Sequence, residues 1–251
     1  MPVGGLYGVT EAMAERIADK MLELNQRNIT VWLRWCHEVE PLPQFHTSKH
    51  MPSQIAPPIP IFKKKWRMVA HAVKSKAPDT YMMWAPNARY GDSIHSIRGG
   101  YTPYWPGGDY VDIAALSFYH FGGSSRKNVI PEPTQAVEKL KEFSKLYGMK
   151  GKRKPIVIAE TSAPYTRSMG SGWGDWGYES EEKIKLAWLK QVFSPAMKYA
   201  VPELKAVSWF EIYKKETPPG RWYPKSEDFR LLTGDTSLSR KAAEYLSAEP
   251  N

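Results

Sequence analysis

Apolar positions along the chain recur at helical spacing, then at strand-like spacing, with short breaks between the segments. Met13, Ile17, Met21 and Leu24 share one face of a helix predicted over 10–24, and an apolar strand is predicted over 29–38. A Pro-rich loop over 40–60 leads to a helix over 62–76, whose inward face is Phe62, Trp66, Val69 and Val73. A strand over 81–84, a long aromatic loop over 87–110 and a strand over 111–119 come next. The following helix turns Val137, Leu140, Phe143 and Leu146 inward and stops at Gly148, a residue suited to a C-cap. After a strand over 155–160 and a Gly/Trp loop over 165–178, Ser180 opens a helix that carries Ile184, Trp188 and Val192 to about Tyr199. Glu181 and Glu182 suit the positive end of that helix. A strand over 206–210 and a helix near 238–246 complete the pattern.

Alternation of this kind predicts βα units on a parallel sheet. Five strands are legible, whereas a closed (β/α)8 barrel needs eight. Two architectures remain open on this count: an incomplete barrel, or an open flavodoxin-like sheet whose edges need cover. No repeat, low-complexity segment or composition shift marks a second domain, so 1–251 reads as one domain.

Composition narrows the classes. The apolar content of 42% supports a sizeable core, and no run approaches the length that spans a bilayer. No basic-then-apolar leader opens the chain. The single cysteine, Cys36, rules out an intramolecular disulfide and reads as a small hydrophobe within an apolar run. A net charge of +9 raises a polyanion-binding reading. Its main sources are Lys63-Lys64-Lys65, on the outer side of an apolar-faced helix, and the 150–154 loop. Neither carries the aromatic ladder of single-strand binders, so both read as solvated surface and no nucleic-acid partner is expected.

Two strands stop at a glutamate: Arg34-Trp35-Cys36-His37-Glu38 and Ile156-Val157-Ile158-Ala159-Glu160. An unpaired buried carboxylate is costly, so a strand that ends on one delivers it to a site. Parallel strands place both carboxylates on one rim, the layout for glycoside hydrolysis, in which one carboxyl donates a proton and the other attacks carbon. The reading that competes for each carboxylate alone is an ion pair at a strand end, with Arg34 a candidate partner.

Around these residues the chain resembles glycoside hydrolase family 26, best known for β-mannanases. The Arg34…His37-Glu38 segment is similar to the family's acid/base strand, and Trp84-Ala-Pro-Asn87 to its Trp-x-Pro-Asn strand end. Trp105-Pro-Gly-Gly-Asp109-Tyr110-Val-Asp112 and Ser117-Phe-Tyr119 resemble the next lead-in and strand. Lys154-Pro-Ile-Val-Ile-Ala-Glu160 resembles the nucleophile strand, Trp209-Phe-Glu211 the final strand, and Asp228-Phe-Arg230 a segment after it. The order and spacing of the set make it specific, and it covers the C-terminal five βα units of the family's barrel.

The resemblance implies a (β/α)8 TIM-barrel glycosidase with about five of eight parallel strands present, as if truncated at the N-terminus. It implies Glu38 as general acid/base and Glu160 as nucleophile, about 5 Å apart as retention requires. By the same resemblance His37 flanks the reactive centre, Tyr119 hydrogen-bonds the nucleophile, and Trp209 floors the cleaved linkage. Arg34, Trp84, Asn87, Trp105 and Trp173 complete the implied substrate-binding set. For Tyr119 and Trp209 core packing is the competing reading, as ordinary loop packing is for Trp105, Trp173, Trp176, Tyr101 and Tyr104 at the rim. The implied substrate is a β-linked polysaccharide met outside the cell, β-1,4-mannan first. The family's sugar-binding stretch after His-Glu is replaced by Val39-Glu40-Pro41, which keeps β-1,3-xylan and mixed-linkage glucan in play. A non-hydrolytic carbohydrate-binding relative is the alternative from another class. No metal or organic cofactor is implied. His37-Glu38 lacks the second histidine of a zinc-protease helix, and the remaining histidines build no metal site. Asn28-Ile29-Thr30 fits a glycosylation sequon, expected at a buried strand start.

Overall fold

The computed structural model describes residues 5–38, 59–88, 101–122, 127–168, 179–217 and 224–248. In chain order the elements are α1 (Glu11–Asn25), β1 (Val31–Leu33), α2 (Ile59–Lys76), β2 (Thr80–Trp84), β3 (Ile113–Tyr119), α3 (Gln135–Tyr147) and β4 (Ile156–Ser162). They continue with β5 (Tyr165–Ser168), α4 (Glu181–Val192), α5 (Pro195–Ala200), β6 (Leu204–Trp209), β7 (Tyr213–Glu216), β8 (Lys225–Asp228) and α6 (Thr236–Ser247). Strands β1-β2-β3-β4-β6 pair in parallel as a curled, half-barrel sheet. The parallel α/β order is the predicted one.

Strand alternation sorts the sheet into two faces. Met82, Trp84, Ala114, Leu116, Phe118, Ile156 and Ile158 pack into one core with residues of α1 to α5. Met83, Ala85, Ile113, Ala115 and Val157, with Ala159 and Ala206, form a smaller cluster on the opposite, concave face. Phe62, Trp66, Val69 and Val73 of α2 are buried as the spacing predicts, leaving Lys63 and Lys64 outside that core. No described helix is long and apolar enough to cross a membrane.

Several boundaries differ from the sequence expectation. The first strand is only Val31–Leu33, because Cys36 (φ 50°) and Glu38 (φ 56°) adopt left-handed backbone that an extended ladder cannot include. Glu160 does not end its strand, since β4 runs on to Ser162. Leu146 is 37% exposed, and Tyr147 takes the inward place one turn beyond Phe143. Gly148 follows α3 with φ −72°, so its C-cap role is not left-handed; an added Cβ would strike Glu203 Oε1 and the Ser144 carbonyl. The helix predicted from Ser180 breaks at Ser194, whose hydroxyl caps a second helix with Pro195 in its first turn. Asn28 is exposed in a left-handed turn, not buried at a strand start.

A second sheet, antiparallel in the order β5-β8-β7, was not anticipated. Its β5 occupies the start of the segment expected to be a loop over 165–178. Buried Lys185 of α4 ties this sheet to the helices by donating to Glu181 Oε1 (2.6 Å) and the Arg230 carbonyl, with Asp228 Oδ1 at 3.5 Å.

Candidate active site

The site forms where the C-terminal ends of β1, β3 and β4 meet. On β4, Ile156 and Ile158 face the helices and Val157 and Ala159 the concave side. Strict alternation would then send Glu160 into the apolar helix layer. The register slips instead: Leu116 pairs with Ile158 but Ser117 pairs with Glu160, so Ala159 is an extra residue opposite β3. Thr161 consequently takes the helix-side place, where its hydroxyl accepts from Trp188 Nε1 at 2.8 Å. The bulge turns Glu160 toward the concave side, a recurrent use of bulges beside active sites.

Glu160 is held from two directions. Arg34 Nη1 donates to Oε1, and the Tyr119 hydroxyl donates to Oε2 at 2.6 Å. Ser117 and Tyr119 lie two apart on β3 and therefore share a face. Arg34 Nη2 donates to Ser117 Oγ at 2.5 Å and stands 3.7 Å from Glu38 Oε1. One guanidinium thus spans both carboxylates. The Glu38 amide donates to the Ala85 carbonyl at 3.1 Å, which anchors the left-handed turn after β1 to the end of β2. Asn87 bridges to Ser117 across the β2–β3 seam.

Burial, and then the hydrogen bond to Glu160, push the Tyr119 phenol far above its ordinary value, so it remains a proton donor. Its ring is braced by Phe121 (5.3 Å between centroids), Phe229 (5.8 Å) and Phe210 (6.0 Å). Phe121 and Phe210 are half-buried.

The structure therefore brings together Arg34, Glu38, Tyr119 and Glu160, with Asn87 at the seam and exposed His37 next to Glu38. It corrects Trp84. Alternation on β2 turns this side chain to the helix layer, where it is 1% exposed against Tyr101, Phe143 and Tyr147 and has no face for a sugar. Trp105 packs on Trp84 (5.0 Å) and Tyr147 (4.9 Å) in the same cluster. Tyr101 and Tyr104 are buried rather than at a rim. Trp209 pairs beside Thr161, packs with the helix-side core and donates to the Phe229 carbonyl at 3.0 Å. Trp173, Trp176, His46, His50 and His95 lie outside the described residues. The sequence motifs that contain Ser117 and Phe210 assign neither a role, and no motif contains Phe121. The two-residue spacing from Tyr119 carried a signal for Ser117 and Phe121, whereas only tertiary packing brings Phe210 to the ring. Among the described residues no group of three or more His, Cys, Asp or Glu side chains is placed to hold a metal.

No curated protein sequence matches the chain. Among solved structures, the catalytic domain of a Bacillus sp. JAMB-750 GH26 endo-β-1,4-mannanase superposes with a TM-score of 0.53 at 18% identity, covering 94% of this chain and 55% of that one. A fungal β-1,4-galactanase superposes with a TM-score of 0.53 at 14% identity, covering 90% of this chain and 67% of that one. At these identities the likeness concerns the fold, and this chain spans a little over half the length of the mannanase domain. The sequence profile of glycosyl hydrolase family 26 matches residues 2–203, from before α1 to the threshold of β6 and across both glutamates, and the chain belongs to that family.

Proposed function

We propose that this chain carries the reacting half of a retaining glycoside hydrolase acting on β-linked polysaccharide, with Glu160 as nucleophile and Glu38 as general acid/base. The observation that carries the reading is the Arg34 guanidinium, which grips Glu160 and reaches Glu38 while Tyr119 holds the other Glu160 oxygen. A purely structural ion pair would need neither the second carboxyl nor the phenol donor.

In the proposed reaction the Glu38 carboxyl gives its proton to the glycosidic oxygen as a Glu160 oxygen attacks the anomeric carbon. The carbon–oxygen bond to the leaving sugar breaks and a glycosyl ester forms on Glu160. Glu38, now a carboxylate, takes a proton from water, whose oxygen attacks the anomeric carbon and frees Glu160. Arg34 and Tyr119 orient the attacking carboxylate throughout, and Phe121 and Phe210 offer apolar ring surface to the sugar. β-1,4-Mannan is the substrate proposed first, supported by family membership, and a polysaccharide of this kind is met outside the cell. The test is release of reducing sugar from β-mannan by the chain and by Glu160→Ala. The variant is expected to fold normally and release none; activity retained in it would reject the assignment.

A second reading is favoured by the open sheet and the partial span of the solved mannanase domain. An incomplete rim can bind a glycan without positioning its linkage for attack. Retardation in gels containing mannan, with no reducing sugar released, would select this non-hydrolytic function.

A further inference from the structure

We infer that Ser117 is a positioning residue that keeps the Arg34 guanidinium turned toward Glu160 and off Glu38, an inference that rests on the roles just proposed for the two carboxyls. Among the described residues Arg34 Nε is buried and has no acceptor, so the fork is oriented by what its two terminal nitrogens hold. Nη1 donates to Glu160, and Nη2 donates to Ser117 Oγ at 2.5 Å while standing 3.7 Å from Glu38 Oε1. The second distance is longer than a hydrogen bond.

The serine hydroxyl is a firm anchor. Ser117 is 2% exposed, its amide donates to the Pro86 carbonyl at 2.9 Å, and its carbonyl accepts from the Ala88 amide at 2.8 Å. Its partner across the sheet is Glu160 itself. Three strand ends therefore fix where Oγ lies. Glu38, by contrast, follows a left-handed turn beyond β1. Oγ is a neutral acceptor, so it draws Nη2 without competing for the charge of the fork. With Oγ removed, Glu38 Oε1 at 3.7 Å is a charged acceptor within reach of Nη2, and opposite charges at this range close into a charge-assisted hydrogen bond. A carboxyl gripped in that way is a poor proton donor to a glycosidic oxygen. The hydroxyl thus lets one arginine serve the nucleophile while the acid/base stays available.

Crystal structures and kinetics of Ser117→Ala and Ser117→Thr test this. In Ser117→Ala the Arg34–Glu38 separation is expected to contract to hydrogen-bond distance, and in Ser117→Thr to stay as in the parent chain. On mannan, Ser117→Ala is expected to lower kcat about tenfold, the order of one hydrogen bond to a charged group, with KM and Tm little changed. Ser117→Thr should restore kcat, and in an Arg34→Lys background Ser117→Ala should add no further loss. An unchanged Arg34–Glu38 separation, or an unchanged kcat in an active chain, overturns the inference. If the parent chain releases no sugar, the hydrolase reading falls, while the crystallographic separations still decide whether Ser117 sets the fork.

Discussion

Arg34 carries an unusual burden for one side chain, since both proposed reacting carboxyls and a buried serine lie around its fork. Tyr119 does the complementary work on the far oxygen of Glu160, and its raised phenol keeps the donor proton in place. Tyr119→Phe removes that donor and leaves the aromatic packing. A hydrogen bond to a charged partner is worth about 1.5–3 kcal/mol, so kcat on manno-oligosaccharides should fall about ten- to a hundredfold with Tm nearly unchanged. An equal loss in Tm and kcat would show that the phenol serves stability instead. At this scale the sequence was informative about identity and poor about direction. The strand-end pattern pointed to Glu38 and Glu160, with Arg34 as a candidate ion-pair partner, while Tyr119 entered only through the family resemblance. Trp84 looked equally eligible, and only its parity on β2 sends it to the helix layer.

Elements decide direction through register. The extra residue at Ala159 changes which face of β4 carries Glu160. Deleting Ala159 removes the extra residue, so Glu160 follows Ile158 directly and strict alternation keeps it on the concave side, opposite Ser117. The deletion variant is therefore expected to keep a Tm close to that of the parent chain; a large drop in Tm would refute the account in which Ala159 is the surplus residue that sets the face of Glu160. The small antiparallel sheet adds a pH-dependent element. Burial alone would raise the Asp228 carboxyl, but the Arg230 fork (2.7 and 3.0 Å) and Lys185 outweigh it and hold it below the ordinary value of 3.8. A depressed folded value means the stabilisation is complete above 3.8 and is lost as pH falls through the folded value. The Tm gap between the parent chain and Asp228→Asn should therefore close as the pH is lowered below 3.8 and stay constant above it. None of this sheet was legible beforehand, because Tyr165–Ser168, Tyr213–Glu216 and Lys225–Asp228 are short, polar strands without apolar alternation.

Across the whole molecule, the described sheet ends at β1 on one side and β6 on the other. Its concave face leaves Trp32 and Tyr81, register partners on β1 and β2, 44% and 43% exposed. They border a groove of about 440 Å³ shared with Ile113, Val157 and Lys205. Apolar surface beside unpaired strand edges favours association with other chains. Trp32→Ser with Tyr81→Ser should reduce concentration-dependent light scattering of the isolated chain while leaving its helical circular dichroism intact. A monodisperse parent chain with a sharp cooperative melt would contradict this picture.

The sequence by itself determined the βα order and most of the helix faces, because hydrophobic periodicity depends on near neighbours along the chain, and two strand-end glutamates in a family-like pattern singled out the proposed acidic pair. Tertiary structure alone decided which way those residues point and what surrounds them. The bulge at Ala159, the turn that carries Glu38 and the aromatic brace around Tyr119 all arise from pairing between segments far apart in sequence. A one-residue change of register reverses the face of every side chain beyond it, and no local pattern of apolar and polar residues records such a shift.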